Sequence, residues 1–433
     1  MKIHFIGIGG IGVSALAQYY LAKGHKISGS DLVCSEIIED LRKKGVKINL
    51  GKNIIKKDAD LNIYTPAAKI RFPQKRHIIS YPEALGELTK KYFTIAVCGT
   101  HGKSTTTAMI GLILTRAGLD PTVIVGTKVK EFGHTNCRVG SSKYLVIEAD
   151  EHFGSFLNYW PKMIVLTNIE PDHLDYYKNF RALKNAFQRF IHHLPKDGTL
   201  IVNRTVFTAI STPAPANVVD YALKGRDRQT LKKILKVPGE HNILNALAAL
   251  TAARVLKIPD KTIFEALSEF QGVWRRFEII NKNPIVVSDY GHHPTEIEVT
   301  LKAAREKWPQ KEIWCVYQPH QYQRTLYLFN DFVKVLRRVP VNKVLVTDIY
   351  DVAGREEKKI KKKVNAEKLV KKINREKVIY LPTEKVVNFV KKNFSKNYVL
   401  VIMGAGDIYK LSHRLVDEMV FSRRNLKNNR IFR

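Results

Sequence analysis

The chain has 433 residues, 45% of them hydrophobic, and a formal charge of +32 from 72 basic and 40 acidic residues. That length suits roughly two to four domains with real cores. No apolar run approaches the roughly 18 residues of a membrane span, and "MKIHFIGIGG" lacks the small-residue cleavage site of a secretory leader. A cytoplasmic protein with no membrane partner is expected, as a monomer or homodimer. The cysteines Cys34, Cys98, Cys137 and Cys315 show no C-x-x-C pairing, which argues against a zinc site or a disulfide framework. The lysines are dispersed and carry no aromatic-studded basic motif. They read as a solvated surface without a nucleic-acid partner, and their field would attract phosphate-rich substrates.

The first predicted element is the strand "KIHFIGI". It runs into Gly7, Gly9 and Gly12, a G-x-G-x-x-G turn, and then into the helical stretch "VSALAQYYLAKG". A second strand, "KISGSD", ends at Asp31, nineteen residues after Gly12. This is a dinucleotide-type βαβ fingerprint in its proper context. The glycines let backbone N–H groups approach a diphosphate at a helix N-terminus, and Asp31 offers an acceptor to a ribose. "HIISYPEALGELTKKY" reads as a helix leading to a boundary near residue 92.

The next strand, "YFTIAVCGT", enters "CGTHGKSTTT". The common phosphate loop G-x-x-x-x-G-K-[ST] needs a glycine five residues before Gly102, where Val97 stands. The first glycine is Gly99, so this loop is the shorter G-x-x-G-K-S. Its backbone would cradle phosphates, Lys103 would set a positive charge on the β/γ oxygens, and Ser104 would bind Mg²⁺. Two further strands end in acids. "YLVIEADE" carries Glu148, Asp150 and Glu151, and "MIVLTNIEPDHLD" carries Glu170, Asp172, His173 and Asp175. Ligands of an α/β sheet gather at the carboxyl ends of its strands, and hard oxygens there suit Mg²⁺. "PGEHNILNALAALTAARVLKI" reads as a capped, alanine-rich helix.

After "GVWRRFE", strands again alternate with helices, the pattern of a parallel sheet. They end in Asp289, His292 and His293, then His320 and Arg324, then Asp348, and finally Gly404–Asp407. The basic tail "SRRNLKNNRIFR" reads as a frayed end.

"GTHGKSTT", "EADE", "TNIEPDHLD", "GEHNILNALAA", "RRFE", "DYGHHPTEI" and "QPHQYQRT" occur in the order found in the Mur ligases. The chain resembles that family over nearly its whole length, and its alanine-adding branch most. The resemblance implies an α/β protein of three domains. Residues 1–91 would be a Rossmann-like domain for UDP-N-acetylmuramate, 92–272 a central P-loop-type ATPase domain, and 273–433 a mobile Rossmann-like C-terminal ligase domain. It implies that ATP phosphorylates the lactyl carboxylate of the UDP-sugar and that the L-alanine amine displaces the phosphate. The first glycine turn, Gly7, Gly9, Gly10, Ile11 and Gly12 with Ser30 and Asp31, would then receive a UDP diphosphate and not NAD.

By the same resemblance, Gly99, Thr100, His101, Gly102, Lys103, Ser104 and Thr105 hold ATP. His241, Asn242 and Asn245 form a nucleotide-binding motif, and Arg276 and Asp289 close on ATP from the C-terminal domain. Ser104 and Glu148 are similar to ligands of one Mg²⁺, with His173 near a second. His292, His320 and Arg324 resemble groups around the amino acid and acyl phosphate. Two positions depart from the pattern. Gln321 and Leu326 stand where the family usually has arginine, which weakens the amino-acid pocket. Lys184 lies in the general region of a lysine that is carbamylated in sister ligases.

Three other readings compete. A murein-peptide ligase would join a recycled tripeptide to the same UDP-sugar. An NAD-dependent oxidoreductase accounts only for the first glycine turn. A basic nucleic-acid-binding ATPase accounts only for the charge.

Overall fold

The computed structural model describes all residues except 69–76, 208–216, 353–357, 396 and 429–433. It is an α/β molecule with three sheets. The chain divides into two compact units, and the first holds residues 1–172, 176–236 and 242–273. The second holds residues 173–175, 237–241 and 274–433.

The first unit contains two sheets. In the N-terminal one, β1 (Lys2–Ile6), β2 (Lys26–Asp31), β3 (Lys47–Leu50), β4 (Leu61–Tyr64) and β5 (Ile78–Ser80) lie in the order 3-2-1-4-5. All its pairings are parallel. Helices α1 (Ile11–Ala22), α2 (Glu36–Lys43) and α3 (Tyr81–Thr89) accompany it. The stretch expected to be one helix before residue 92 is therefore a strand followed by a helix. Ser80 breaks it, because its side chain and that of Glu83 form a capping box that starts α3.

The central sheet contains β6 (Phe93–Cys98), β7 (Thr122–Val129), β8 (Thr135–Arg138), β9 (Tyr144–Glu148), β10 (Met163–Leu166), β11 (Thr199–Asn203) and β12 (Asn217–Tyr221), ordered 12-11-10-6-9-7-8. Only β8 is antiparallel, paired with β7. The order matters for function. β6 feeds the glycine loop and α4 (Lys103–Arg116), and it lies between β9 and β10, the two strands with acidic ends. One apolar cluster, running from Ile3 to Val206, joins both sheets, so the unit packs as a single body.

The second unit holds β13 (Glu278–Lys282), β14 (Ile285–Asp289), β15 (Ile313–Tyr317), β16 (Lys343–Val346), β17 (Val378–Tyr380) and β18 (Val399–Met403), ordered 13-14-18-15-16-17. β13 is the antiparallel edge. Successive side chains of a strand point to opposite faces, and both faces here are covered. Val287, Cys315 and Tyr317 lie in one cluster. Val286, Trp314 and Val316 lie in the other. Continuous apolar runs follow from that two-sided burial. The last helix, Ile408–Asn428, takes in most of the tail expected to fray, and residues 429–433 lie outside the described part.

Candidate active site

Two helices of the first unit begin at glycines with no side-chain cap, α1 at Gly10 and α4 at Gly102. Their neighbours α2 and α3 are capped by Ser35 and Ser80. An uncapped start leaves the first-turn N–H groups without intrahelical acceptors, at the positive end of the helix dipole. In α1 these belong to Ile11, Gly12 and Val13, since Ser14 is the first to bond back, to the Gly10 carbonyl. In α4 they belong to Lys103, Ser104 and Thr105, with Thr106 bonding back to Gly102.

The α1 turn is held from within. Gly7 and Ile8 donate their N–H to the Ser30 carbonyl, and Gly10 to that of Gly7. Gly9 donates to Asp31 Oδ2 at 2.8 Å, and Leu32 donates to Oδ1 at 2.7 Å. Asp31 thus braces the turn through Oδ2, while Oδ1 holds the chain just after β2, where the sequence suggested a ribose acceptor. Ser30, expected among the substrate-binding residues, is fully buried. Its hydroxyl accepts the Ile54 N–H at 3.0 Å and lies 3.4 Å from His4 Nε2. The strand alternation points its side chain inward, toward Ile54 and His4, while its backbone carbonyl meets the turn.

The α4 loop is tighter. Gly102 sits at φ +81°, and a Cβ there would come within 2.3 Å of Asn245 Oδ1. Gly99 sits at φ +130° with Thr167 Oγ1 2.2 Å from its would-be Cβ. Neither position admits a side chain. Lys103 Nζ donates to the Gly99 carbonyl at 2.7 Å and to Glu151 Oε2 at 2.9 Å. Asp150 lies 3.7 Å from the same ammonium. Burial pulls the Lys103 pKa down, but Glu151, Asp150 and Glu148 outweigh it, so the ammonium is held above its ordinary value. Burial pushes the Glu151 carboxyl up, and the Lys103 ammonium beside it pulls it back towards the charged form. Ser104 Oγ donates to Glu148 Oε2 at 2.8 Å, and the Gly126 N–H donates to the same oxygen at 2.7 Å.

Asn168, at the end of β10, completes the loop. Its Oδ1 accepts the His101 N–H at 2.8 Å, and its Nδ2 donates to the His101 carbonyl at 3.0 Å. The Thr100 hydroxyl and the Glu170 backbone bond each other at 2.8 and 3.1 Å. Asn245, on the helix Glu240–Val255, donates to Asn242 Oδ1 at 3.4 Å beside Gly102. The fold therefore brings together the predicted loop, Glu148, Asn242 and Asn245. His241 and His173 belong to the second unit, so the sequence motifs that grouped them with Asn242 and Glu148 are split between units. Lys184, considered as a modified lysine, lies over the Phe180 ring at 4.9 Å.

One connection had no signal in the sequence. Asn136 on β8 donates to the Ile11 carbonyl at 2.6 Å and to Ser14 Oγ at 2.9 Å, and it accepts from Gln18 Nε2 at 2.6 Å. Lys128 on β7 bonds Glu36 and Asp40 of α2 at 2.6 and 2.7 Å. The hairpin β7–β8 thus grips α1 and α2 and also holds Glu148 through Gly126.

In the second unit, Asp289 accepts the N–H groups of Phe277 and Gly291, each at 2.7 Å. Burial raises it to about 6, opposed by Arg276 and these two bonds. Arg276 pairs with Glu296 at 3.1 Å. His241 is lowered to about 4 by burial and by Arg276. Arg275, which the sequence did not single out, donates to the carbonyls of Gly404 and Gly406 at 2.5 and 3.0 Å. Its guanidinium also lies 4.4 Å from the Tyr409 ring centre.

His292, His320 and Arg324 do form one cluster. The two imidazoles are 5.6 Å apart, and Arg324 Nη1 lies 3.3 Å from His320 Nδ1. Gln321 opens the following helix at φ +72°. Leu326 packs against the apolar cluster of this unit.

Comparisons with known proteins cover nearly the whole chain. Residues 2–93 match the Mur ligase family catalytic domain, 97–253 the Mur ligase middle domain, and 275–406 the Mur ligase glutamate ligase domain. A UDP-N-acetylmuramate–L-alanine ligase of Acetivibrio thermocellus is 40% identical over 96% of both chains. One from Aquifex aeolicus is 39% identical over 96% of this chain and 98% of its own. The crystal structure of a UDP-N-acetylmuramate–alanine ligase from Thermotoga maritima superposes with a TM-score of 0.78 at 29% identity, covering 98% of this chain and 100% of that one. A murein peptide ligase from Psychrobacter arcticus shares the fold, with a TM-score of 0.72 at 24% identity over 96% of this chain and 98% of that one.

Proposed function

The chain belongs to the Mur ligase family, and we propose that it joins L-alanine to UDP-N-acetylmuramate, converting ATP to ADP and phosphate. The observation that carries this reading is the pair of uncapped, glycine-led helix starts, α1 and α4, in one compact unit. A chain built this way receives two phosphate-bearing substrates. The names of its relatives supply their identity and that of the amino acid.

A carboxylate resists attack by an amine, so the lactyl carboxylate is first made an acyl phosphate. Phosphoryl transfer between two anions depends on positioning and charge neutralisation. The N–H groups of α1 hold the UDP diphosphate, and those of α4 hold the ATP phosphates. Lys103 meets the γ-phosphoryl group, exchanging its contact with Glu151 for phosphate oxygen. The Ser104 hydroxyl and the Glu148 carboxylate, 2.8 Å apart, form a hard-oxygen pair that fits Mg²⁺. That ion would neutralise charge between the reacting anions. His173 enters as a ligand of a second ion from its motif alone. In the second unit, Arg276 and Asp289 serve the nucleotide, while His292, His320 and Arg324 receive alanine and the acyl phosphate. Gln321 leaves that pocket with one cation fewer than the family pattern.

Phosphate release with UDP-N-acetylmuramate and ATP, across a panel of amino acids and one tripeptide, tests the reading. L-alanine should give the highest rate, and release should require the UDP-sugar. Faster release with the tripeptide would make this a recycling ligase. Release independent of any amine would remove the ligase reading.

A further inference from the structure

Immediately after Glu151 the backbone turns through two left-handed residues, Phe153 at φ +57° and Gly154 at φ +65°. Phe153 is nevertheless 39% exposed, and Tyr176 beside it is 43% exposed. Their rings meet edge to face at 5.7 Å, and His152 stacks against Phe153 at 4.0 Å with the planes 16° apart. The turn folds back on the acidic strand end. Gly154 donates to the Glu151 carbonyl at 2.9 Å, Phe156 to that of Asp150 at 3.0 Å, and Tyr177 OH to that of Glu151 at 2.5 Å. A left-handed aromatic residue and an exposed apolar ledge are both unfavourable in isolation. Here they lie beside the carboxylates that hold Lys103.

Resting on the ligase reading, we propose that Phe153 and Tyr176 form the platform on which the N-acetylmuramoyl ring of the UDP-sugar sits. The chemistry selects this occupant. The carboxylate to be phosphorylated hangs from that sugar and must reach the γ-phosphoryl group at Lys103. The uracil lies on the far side of a diphosphate held at α1. The sugar is therefore the part of the substrate that must lie near the Asp150–Glu151 edge. Its C–H faces carry slight positive charge and suit the negative face of an aromatic ring. The aromatic edge also keeps water from the acyl phosphate formed next to it.

Calorimetry with UDP-N-acetylmuramate and with UDP alone tests the platform. Phe153→Asn removes the ring with a residue that tolerates the left-handed backbone, and Tyr176→Ala removes the second ring. Phe153→Tyr keeps the platform. Thermal unfolding checks that each variant folds. The first two variants should bind UDP-N-acetylmuramate about three- to tenfold more weakly. Their affinity for UDP should be unchanged, and Phe153→Tyr should match the parent. Equal loss for both ligands, or no loss for either, overturns the platform. A parent protein that binds the UDP-sugar but never turns over with L-alanine refutes the ligase reading alone. A parent that does not bind the UDP-sugar refutes both.

Discussion

At the scale of single residues, Lys103 carries the most weight. Its ammonium is fixed by a loop carbonyl and by Glu151, and we propose that it serves where phosphoryl charge develops. Lys103→Ala should lower turnover about a hundred- to a thousandfold. It should leave affinity for UDP-N-acetylmuramate intact, because α1 supplies that site separately. Calorimetry that found both affinities lost together would contradict the separation. His4 makes a different prediction. It is buried, 2.9 Å from Ser28 Oγ, and lowered from 6.5 to about 4, chiefly by burial. The folded protein keeps it neutral while the unfolded chain takes up a proton below 6.5. Stability should therefore fall as pH drops from 6.5 towards 4, by up to about 1.4 kcal/mol per pH unit from this group. Denaturant titrations should show a shallower fall in His4→Gln, and equal slopes would mean that His4 is not the group responsible.

At the scale of elements, the strands and the glycine loop that frame the candidate site were legible in the sequence. β6, β9 and β10 are buried on both faces, so each reads as an apolar run that ends abruptly in polar residues. Those ends are where ligands collect. What stayed hidden has a common cause. β8 is the short polar stretch "TNCR", with no alternation to mark it, and only pairing with β7 makes it a strand. β5 is three residues long and merges into a helical pattern. Asn136 carries no motif, yet it bridges from the hairpin to the first turn of α1. Ser30 was named by the family resemblance, and its side chain is buried against Ile54 and His4. The hairpin has a testable consequence. Asn136→Ala should raise the KM for UDP-N-acetylmuramate several-fold, since a buried hydrogen-bonding group contributes about 1 kcal/mol. The KM for ATP should not move, and Asn136→Asp should recover none of the loss, because its buried carboxylate would face the Ile11 carbonyl to which the amide donates. An equal rise in both constants would indicate general loosening of the unit.

At the scale of the whole molecule, the groups assigned to one reaction lie in two compact units. Lys103, Ser104, Glu148 and Asn245 are in the first, and Arg276, Asp289, His320 and Arg324 in the second. The family resemblance implies a mobile C-terminal domain, and we predict that substrates held by groups of both units draw it closed. Closure would also exclude water from an intermediate that hydrolyses readily. Small-angle scattering should show a smaller radius of gyration with a non-hydrolysable ATP analogue and UDP-N-acetylmuramate together than with either alone. An unchanged profile would contradict domain closure.

The central claim is an ATP-driven ligation through an acyl phosphate, and oxygen tracing tests it most directly. UDP-N-acetylmuramate labelled with ¹⁸O in the lactyl carboxylate is incubated with the protein, ATP and L-alanine, and the products are weighed by mass spectrometry. Phosphorylation of the carboxylate followed by amine attack carries one carboxylate oxygen into the released phosphate and leaves the other in the new amide. The account expects singly labelled phosphate in a one-to-one ratio with UDP-N-acetylmuramoyl-L-alanine. Unlabelled phosphate, or phosphate released without amide, would contradict it.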